Sequence, residues 1–564
     1  MKTLIRLPRW AGRSVARLDR PQSRARSARS TLNRSRVERV APNALNGAAQ
    51  LFSPTELNNA LGATRSTFRR RDQPALRSPG QRDRGGRPRP AKCKWIFALA
   101  ALAVVLAVPL TAQPDQKVQD AIVADALADQ AGTEFLTRLC DDFGGRLTGS
   151  VNNRGALERT VAELKALGIE ARLEPFTMPG WIRGDDEAEM LAPVKRKLRF
   201  ASLSYTQPNE RFEAEVIDLH DGREADFAGL DARGKIGLLA LTSNVPRGEF
   251  DARAVKHGLR GALFTDRVNG GQLLARTGSF NGVPLRVPVY AITQEEGLWM
   301  SRLLKRGEIV RVSMLTRSHC AAVATANIVV TFPGRTGDLI VVGAHFDSWD
   351  LGQGATDNGL GTAQLFALAK VLKAHAPENL RTIELVWFNG EEEGLWGSRL
   401  HAPALKGRPV AAMLNLDMVG FPIAVNSLGY DELLPVLERF DVSLGARKLK
   451  LGVSNINWFG SDHTSFQLEG IPSLTLGGRI EPDVVRYYHD FADTVEKVDP
   501  RMIPESAATV AALVYRLANE PGLSTTRRTP AETAALFRKF DLEKRMKGLG
   551  LWPFPDRPLE ETKP

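Results

Sequence analysis

The feature that most constrains this 564-residue sequence is a regular alternation of strand and helix patterns in its C-terminal half. Continuous apolar runs at 337–345, 381–388, 410–418 and 471–477 are typical of buried strands. The stretch 358–375 has the spacing of an amphipathic helix. Strands that alternate with helices predict an α/β fold, with a mixed, largely parallel sheet and helices on both faces.

Acidic and histidine side chains follow the ends of these predicted strands. In chain order they are His345, Asp347, Asp357, Glu391, Glu392, Glu393, Asp417, His489 and Asp493. Ligand sites of such sheets form at the carboxyl ends of strands. Imidazole and carboxylate groups suit a divalent metal, and the lack of cysteine favours a catalytic over a structural zinc site. Taken singly, the glutamate run is typical of a solvated helix start and Asp417 of a turn, but the set predicts a metal site.

The same motifs resemble a known family. His-x-Asp after a strand, a later Asp, Glu-Glu-x-Gly-Leu-x-Gly-Ser, a further Asp and His-x-x-x-Asp-Thr occur here in the order found in the dizinc exopeptidases, which include bacterial leucyl aminopeptidases and glutamate carboxypeptidases. The stretch HFDSWDLGQGATDNG is most similar to the carboxypeptidase Q group of that family. The resemblance covers roughly residues 125–520 and implies the zinc exopeptidase fold.

The resemblance also implies a role for each matching residue. His345 and Asp417 would bind one zinc ion, Glu392 and His489 would bind a second, and Asp357 would bridge the two. Asp347 would form a hydrogen bond with the free ring nitrogen of His345. Glu391 would act as the general base that takes a proton from the attacking water. The family often has a cis peptide after the bridging Asp, here Asp357–Asn358.

For four further residues near these motifs, the sequence leaves alternative positions or roles open. Glu393 is expected at the surface or in a supporting position behind the ligands. Asp462 and His463, in SDHTSF, either contact substrate or cap a helix. Tyr488 either lines the substrate pocket or packs as an aromatic wall.

The remaining chain is interpreted as a series of segments. Short strand patterns over 206–325 predict a β-rich insert, similar to the protease-associated domain of the same family. It would separate 113–205, the first part of the peptidase domain, from the catalytic part at 326–522. The tail, 523–564, is expected to be a docking strap or disordered.

The N-terminal segment carries all of the excess positive charge. The whole chain has a formal net charge of +12, but residues 1–94 hold +18 and the rest is mildly acidic. That segment, rich in Arg, Ser, Pro and Gly, predicts a basic disordered leader or a misassigned start. Residues 95–112 combine a basic flank, an uncharged apolar run and small residues, which is typical of a signal peptide.

The predicted signal peptide determines the expected compartment and partners. We expect an exported protein, periplasmic or extracellular, or a membrane-anchored one if the signal is not cleaved. A short peptide substrate and two zinc ions are expected, without nucleic acid or stable membrane insertion. A homodimer is implied by the resemblance only. Cys140 and Cys320 could pair in an oxidising compartment or remain as free thiols.

Three functional hypotheses compete. The leading one is an exported dizinc exopeptidase that hydrolyses short peptides, with unblocked dipeptides as substrates. The alternatives are an aminopeptidase acting on longer peptides and, more remotely, an inactive binding protein on a peptidase fold. The sequence contains neither G-x-S-x-G nor H-E-x-x-H, which argues against a serine hydrolase and a helix-borne single-zinc site.

Overall fold

A computed structural model describes residues 114–375 and 378–555. The predicted leader and signal peptide, residues 1–112, lie outside these ranges. No helix in the described part of the chain is both long enough and apolar enough to cross a membrane.

An eight-stranded mixed sheet forms the larger part of the fold. Its strands, in spatial order, are β1 (Ala171–Ile182), β10 (His319–Phe332), β12 (Thr382–Phe388), β11 (Leu339–His345), β13 (Val410–Asn415), β16 (Ser473–Arg479), β14 (Phe421–Asn426) and β15 (Gly452–Ser454). The central pairings β12–β11, β11–β13 and β13–β16 are parallel, and the pairings at the β1 side are antiparallel. The predicted mixed α/β sheet is therefore confirmed.

Helices cover both faces of this first sheet. One face packs against α1 (Gln116–Ala128), α2 (Ala131–Phe143), α3 (Val151–Ala166), α6 (Leu360–His375), α8 (Leu434–Ser443) and α11 (Met502–Asn519). The other face packs against α7 (Trp396–Ala404) and α9 (His463–Leu468). Strand β11 is buried on both faces, so Ile340 and Val342 join the first core while Leu339 and Val341 join the second. This double burial explains its continuous apolar sequence.

A second eight-stranded sheet is inserted between β1 and β10. Its spatial order is β3 (Arg196–Lys197), β2 (Glu187–Ala192), β9 (Arg311–Thr316), β5 (Asn209–Asp218), β6 (Ile236–Leu239), β7 (Gly261–Thr265), β8 (Val289–Ile292) and β4 (Phe200–Ser202). Strands β5 to β8 are parallel to one another, and α4 (Arg247–Lys256) and α5 (Gln294–Lys305) pack on opposite faces.

The extent of this sheet differs from the predicted insert, 206–325, at both ends. It begins at Glu187, and the long strand β10 that follows it belongs to the first sheet. The Ala-rich first half of β10 resembles the insert strands in sequence, which is why its sheet could not be assigned from pattern alone. The division into domains stays a prediction.

The C-terminal segment packs beside helix α9, on the first sheet. After the short helix α10 (Pro482–Val485) and the long α11, the chain forms α12 (Pro530–Lys539) and α13 (Glu543–Gly548). Phe537 and Met546 of these helices enclose Phe459, next to α9. Cys140 and Cys320 are free thiols, the first buried in the core and the second half-buried in β10.

Candidate metal centre

The predicted ligand candidates meet at the carboxyl edge of the first sheet. His345 ends β11, Asp417 follows β13, and Glu392 lies in the turn after β12. Asp357 lies in a single π-type turn, Ala355–Gly359, just before α6, and His489 lies in the loop after α10. Parallel strands place their ends at the same edge, so residues distant in sequence become neighbours.

Two groups of ligand atoms share one carboxylate. His345, Asp357 and Asp417 form the first, Asp357, Glu392 and His489 form the second, and within each group the atoms lie within 4.8 Å of one another. His345 Nε2 lies 3.1 Å from Asp357 Oδ1 and 3.6 Å from Asp417 Oδ1. His489 Nε2 lies 2.9 Å from Asp357 Oδ2 and 3.0 Å from Glu392 Oε2. The two oxygens of Asp357 therefore face different groups.

The two histidine rings are oriented by backbone carbonyl oxygens. His345 Nδ1 lies 3.1 Å from the main-chain oxygen of Asp347, and His489 Nδ1 lies 3.0 Å from that of Ala275. Because a carbonyl oxygen only accepts, each Nδ1 carries the hydrogen and donates it. Each Nε2 is then available as a ligand directed at the carboxylates.

This donor set fits divalent zinc. Nitrogen and oxygen ligands about 2.0–2.2 Å from a tetrahedral zinc ion are about 3.3–3.6 Å apart. The histidine-to-carboxylate spacings are 3.1 and 3.6 Å in the first group and a little shorter, 2.9 and 3.0 Å, in the second. The buried Oε1 of Glu392 has no hydrogen-bond partner in the described part of the chain. Each group supplies three protein ligands, so a zinc ion held there keeps a position for water or substrate.

The raised pKa values of the clustered carboxylates also favour a bound cation. Burial raises the pKa of Glu391 well above its usual range, and the neighbouring carboxylates Glu392 and Asp417 add to this against the opposing effect of His345. Burial and Asp357 raise the pKa of Glu392 to about 7, although His489 opposes them. Nearby carboxylates that destabilise one another's charged forms are stabilised together by a cation between them.

Asp347 orients the glutamate turn. Its two carboxylate oxygens accept hydrogen bonds from the main-chain nitrogens of Glu391 and Glu392, at 3.1 and 3.2 Å. Its carboxylate lies 3.8 Å from His345 Nδ1, beyond hydrogen-bond distance, so the predicted side-chain bond to that ring is wrong. The ring bonds the main-chain oxygen of Asp347 instead, because the carboxylate is held by the two amides.

The other predicted residues lie near the cluster in different environments. Glu393 is fully buried and its Oε1 accepts from the Trp181 amide at 3.0 Å, so a surface position is wrong. Asp462 precedes α9 without capping it through its side chain, and both of its buried oxygens lack a hydrogen-bond partner in the described chain. His463 is buried against Trp458, with ring centroids 4.2 Å apart. The Tyr488 ring packs beside His489, with centroids 4.5 Å apart.

The sequence assigned no role to Asp493, which holds the bridging turn. Its carboxylate accepts from the Thr356 amide at 2.8 Å and from the Asp357 amide at 3.1 Å. The neighbouring Asn358 side chain donates to the Leu416 oxygen and accepts from the amides of Gly361 and Met418. The Asp357–Asn358 peptide is cis, as the family resemblance implied. In the sequence, the position of Asp493 in the motif His-x-x-x-Asp-Thr was the one indication of this role.

Comparisons with known proteins agree with this geometry. Residues 327–514 match the sequence profile of peptidase family M28. Carboxypeptidase Q from Bos taurus is 29% identical over 426 residues, which cover 70% of this chain and 86% of the bovine protein.

Two solved structures share the fold. The peptidase M28 precursor from Shewanella amazonensis SB2B has a TM-score of 0.62 at 23% identity and covers 74% of this chain and 98% of its own. A zinc aminopeptidase from Bacillus subtilis has a TM-score of 0.56 at 22% identity, with coverage of 68% and 94%. The profile match spans all five ligand candidates, so residues 327–514 are similar to peptidase family M28, and this likeness together with the bovine carboxypeptidase agrees with the predicted enzyme class, a zinc-dependent exopeptidase.

Proposed function

We propose that this chain is a dizinc exopeptidase that hydrolyses short peptides, with unblocked dipeptides as its substrates. His345 and Asp417 would hold one zinc ion, Glu392 and His489 the other, and Asp357 both. The observation that carries the proposal is the opposed pair of oxygens on Asp357, each directed at a separate histidine and carboxylate. The bovine relative, a carboxypeptidase, and the bacterial zinc aminopeptidase support the metal and the reaction class.

Zinc held by these residues would lower the pKa of a bound water and stabilise negative charge on the substrate carbonyl oxygen. Glu391 would take the proton from the attacking water and transfer it to the departing amine nitrogen. Its neighbour Glu392 belongs to a ligand group while Glu391 belongs to neither, so the adjacent side chains have separate tasks. Burial raises the pKa of Glu391 above its usual range, which makes the carboxylate a stronger base.

The Glu391→Gln variant tests this assignment. The amide keeps the shape of the side chain but cannot accept a proton, so we expect kcat to fall by about 10²–10⁴-fold or more. Zinc content, measured by atomic emission after careful purification, should stay as in the wild type. The exposed Glu170→Gln is the matched control and should keep full activity. Retention of most activity by Glu391→Gln would show that another group is the base.

The Asp357→Asn variant tests the shared ligand. Loss of one anionic oxygen weakens both metal positions together, so we expect zinc content and activity to fall in parallel. Wild-type protein holding less than one zinc per chain would instead favour the binding-protein alternative.

A substrate panel separates the two exopeptidase modes. Unblocked dipeptides would be compared with longer peptides, N-blocked peptides and C-terminally amidated peptides, all with zinc supplied. Preference for unblocked dipeptides supports the proposal, whereas efficient release of N-terminal residues from long peptides identifies an aminopeptidase. No turnover of any unblocked peptide would contradict both.

The remaining assignments are part of the same proposal. We assign the insert to the protease-associated type, since it has its own sheet and two cores of its own. Export through residues 95–112 is tested by N-terminal sequencing of secreted protein, where a mature end far from Gln113 would contradict it. A homodimer is tested by sedimentation equilibrium.

A further inference from the structure

Three arginines line a pocket in the inserted sheet, away from the metal ligands. The arginine pocket is formed by Arg247, Arg267 and Arg276, with residues at or next to the carboxyl ends of β6, β7 and β8. These three strands are parallel, and the pocket lies at their carboxyl ends. Open parallel sheets bind ligands at this edge.

The positive charge of the pocket is mostly unbalanced. Among the described residues that line it, Asp266 alone is acidic. Its carboxylate accepts from Arg276 Nη2 at 3.1 Å, and also from the amides of Arg267 at 2.6 Å and Leu274 at 2.9 Å. A carboxylate engaged by main-chain donors in this way neutralises at most one of three guanidinium groups.

The other two arginines form no ion pair with Asp266, although its charge acts on both. Arg247 stacks on Phe264, with its guanidinium carbon 3.7 Å from the ring centroid, and donates to the Val245 oxygen. The Arg267 guanidinium makes no hydrogen bond or ion pair within the described part of the chain. Burial, with Arg276 and Arg267 nearby, lowers the pKa of Arg247 to about 9. Burial and Arg276 likewise lower the pKa of Arg267, against the opposing effects of Tyr488 and Asp266. An anion between these groups would remove their mutual repulsion.

The loop between β7 and β8, which carries Arg267 and Arg276, also contacts the metal-ligand candidate His489. Ala275, next to Arg276, donates its amide to the His489 oxygen at 2.9 Å and accepts from the His489 ring. Leu273 donates to the Asp490 carboxylate at 2.7 Å. The loop 266–288 therefore contacts the metal centre and also lines the pocket.

We propose that the arginine pocket binds an oxyanion group, of the carboxylate or phosphate kind, through Arg267 and Arg276. Two sources supply this chemistry: the free carboxyl terminus of a peptide substrate, which rests on the proposed function, or a free inorganic anion. In either case the bound group sits on the loop that supports His489.

Sulfate binding to the zinc-loaded full chain tests the pocket without any turnover. Isothermal titration calorimetry at constant ionic strength should show saturable sulfate binding in the wild type. Arg267→Gln, which removes no hydrogen bond to the described chain, should weaken it by about tenfold or more, because a charge-assisted bond contributes about 1.5–3 kcal/mol. Arg276→Gln should do the same. The exposed Arg233→Gln of the same insert is the charge-matched control and should bind as the wild type.

Kinetics then distinguish the two sources. If the substrate terminus is the occupant, Arg267→Gln raises KM about tenfold for a free dipeptide but not for its C-terminal amide. If sulfate affinity falls and the KM ratio of the two substrates is unchanged, the occupant is a free anion. If neither sulfate affinity nor this ratio differs between Arg267→Gln and Arg233→Gln, the proposal is overturned. If no peptide is cleaved, the sulfate titration still tests whether the pocket binds an anion.

Discussion

At the scale of single residues, Arg146 shows how a buried charge supports the metal centre. Its side chain is fully buried and donates to four main-chain oxygens, those of Gly144, Phe346, Gln353 and Gly354, at 2.7–3.3 Å. Three of these belong to the loop between His345 and Asp357. Gly354 has φ of 59°, and a Cβ there would lie 2.2 Å from the Ser348 Cβ, so this close packing requires glycine. The guanidinium therefore holds the loop that connects the ligand candidates His345 and Asp357.

The Arg146→Lys variant tests this role. Lysine keeps the charge but has three donors on one atom, so it cannot reach all four oxygens and leaves buried carbonyl groups unpaired. We expect a loss of about 2–4 kcal/mol in the free energy of unfolding and about 10–100-fold weaker zinc binding. Denaturant unfolding and competition with a zinc chelator measure these. Exposed Arg306→Lys is the control, and equal zinc affinity of the two variants would exclude a positioning role.

At the scale of secondary-structure elements, a buried ionic cluster joins α7 to the first sheet. His401 of α7 lies 2.8 Å from Glu174 of β1 through Nδ1 and 3.4 Å from Glu384 of β12 through Nε2. Burial alone would lower the pKa of His401, but the two carboxylates raise it above its usual value. Burial alone would raise the pKa of Glu174, but the hydrogen bond and charge of His401, together with Asn327 and Arg172, lower it to about 2. Arg172 and Arg408 face the same acids at 3.7 Å.

These shifts predict a pH dependence of stability. A histidine with a raised folded-state pKa adds stability that is complete below its unfolded pKa of about 6.5 and is lost as pH rises through the folded value. The Glu174 contribution is present above its unfolded pKa of about 4.3 and is lost towards about pH 2. We therefore expect the free energy of unfolding to fall less between about pH 6 and pH 9 in His401→Gln than in the wild type. Exposed His319→Gln should keep the wild-type slope, and identical slopes for both variants would contradict the assignment.

Most elements around the site could be predicted from sequence, and the exceptions have local causes. The strands β11, β12, β13 and β16 were predicted because each is apolar on both faces. Strand β14 was not, since Pro422 interrupts its pattern and falls at an irregular register with β16. Strand β15 has three residues, too few for any period.

At the scale of the whole molecule, the C-terminal segment closes the structure beside α9. Phe537 is fully buried and lies with Leu542, Met546 and Leu551 against Phe459. The chain just before it is also held, since the Arg528 amide donates to the Gly470 oxygen. The segment is therefore a packed part of the fold over its described residues.

The Phe537→Ala variant tests how much this packing contributes. Removal of a buried phenylalanine ring leaves a cavity and costs about 3–5 kcal/mol of unfolding free energy. We expect a lower denaturant midpoint and faster proteolytic cleavage within 525–555, with zinc content unchanged. Leu451→Ala, at a side chain that is 48% exposed, should change neither. A wild-type midpoint for Phe537→Ala would show that the segment adds no stability.

The sequence alone determined the central strands β11, β12, β13 and β16 and the acids and histidines near their ends, because apolar period and strand-end position are local properties of the chain, while the family resemblance implied which of these would be ligands. Tertiary structure decided which atoms meet. His489, with φ of 62°, bonds Ala275 of the insert, Asp347 supports the glutamate turn rather than a ring, and Glu393 is buried. Each of these depends on which distant segments the folded chain brings together and which groups it removes from water. Residue spacing along one segment does not encode that information.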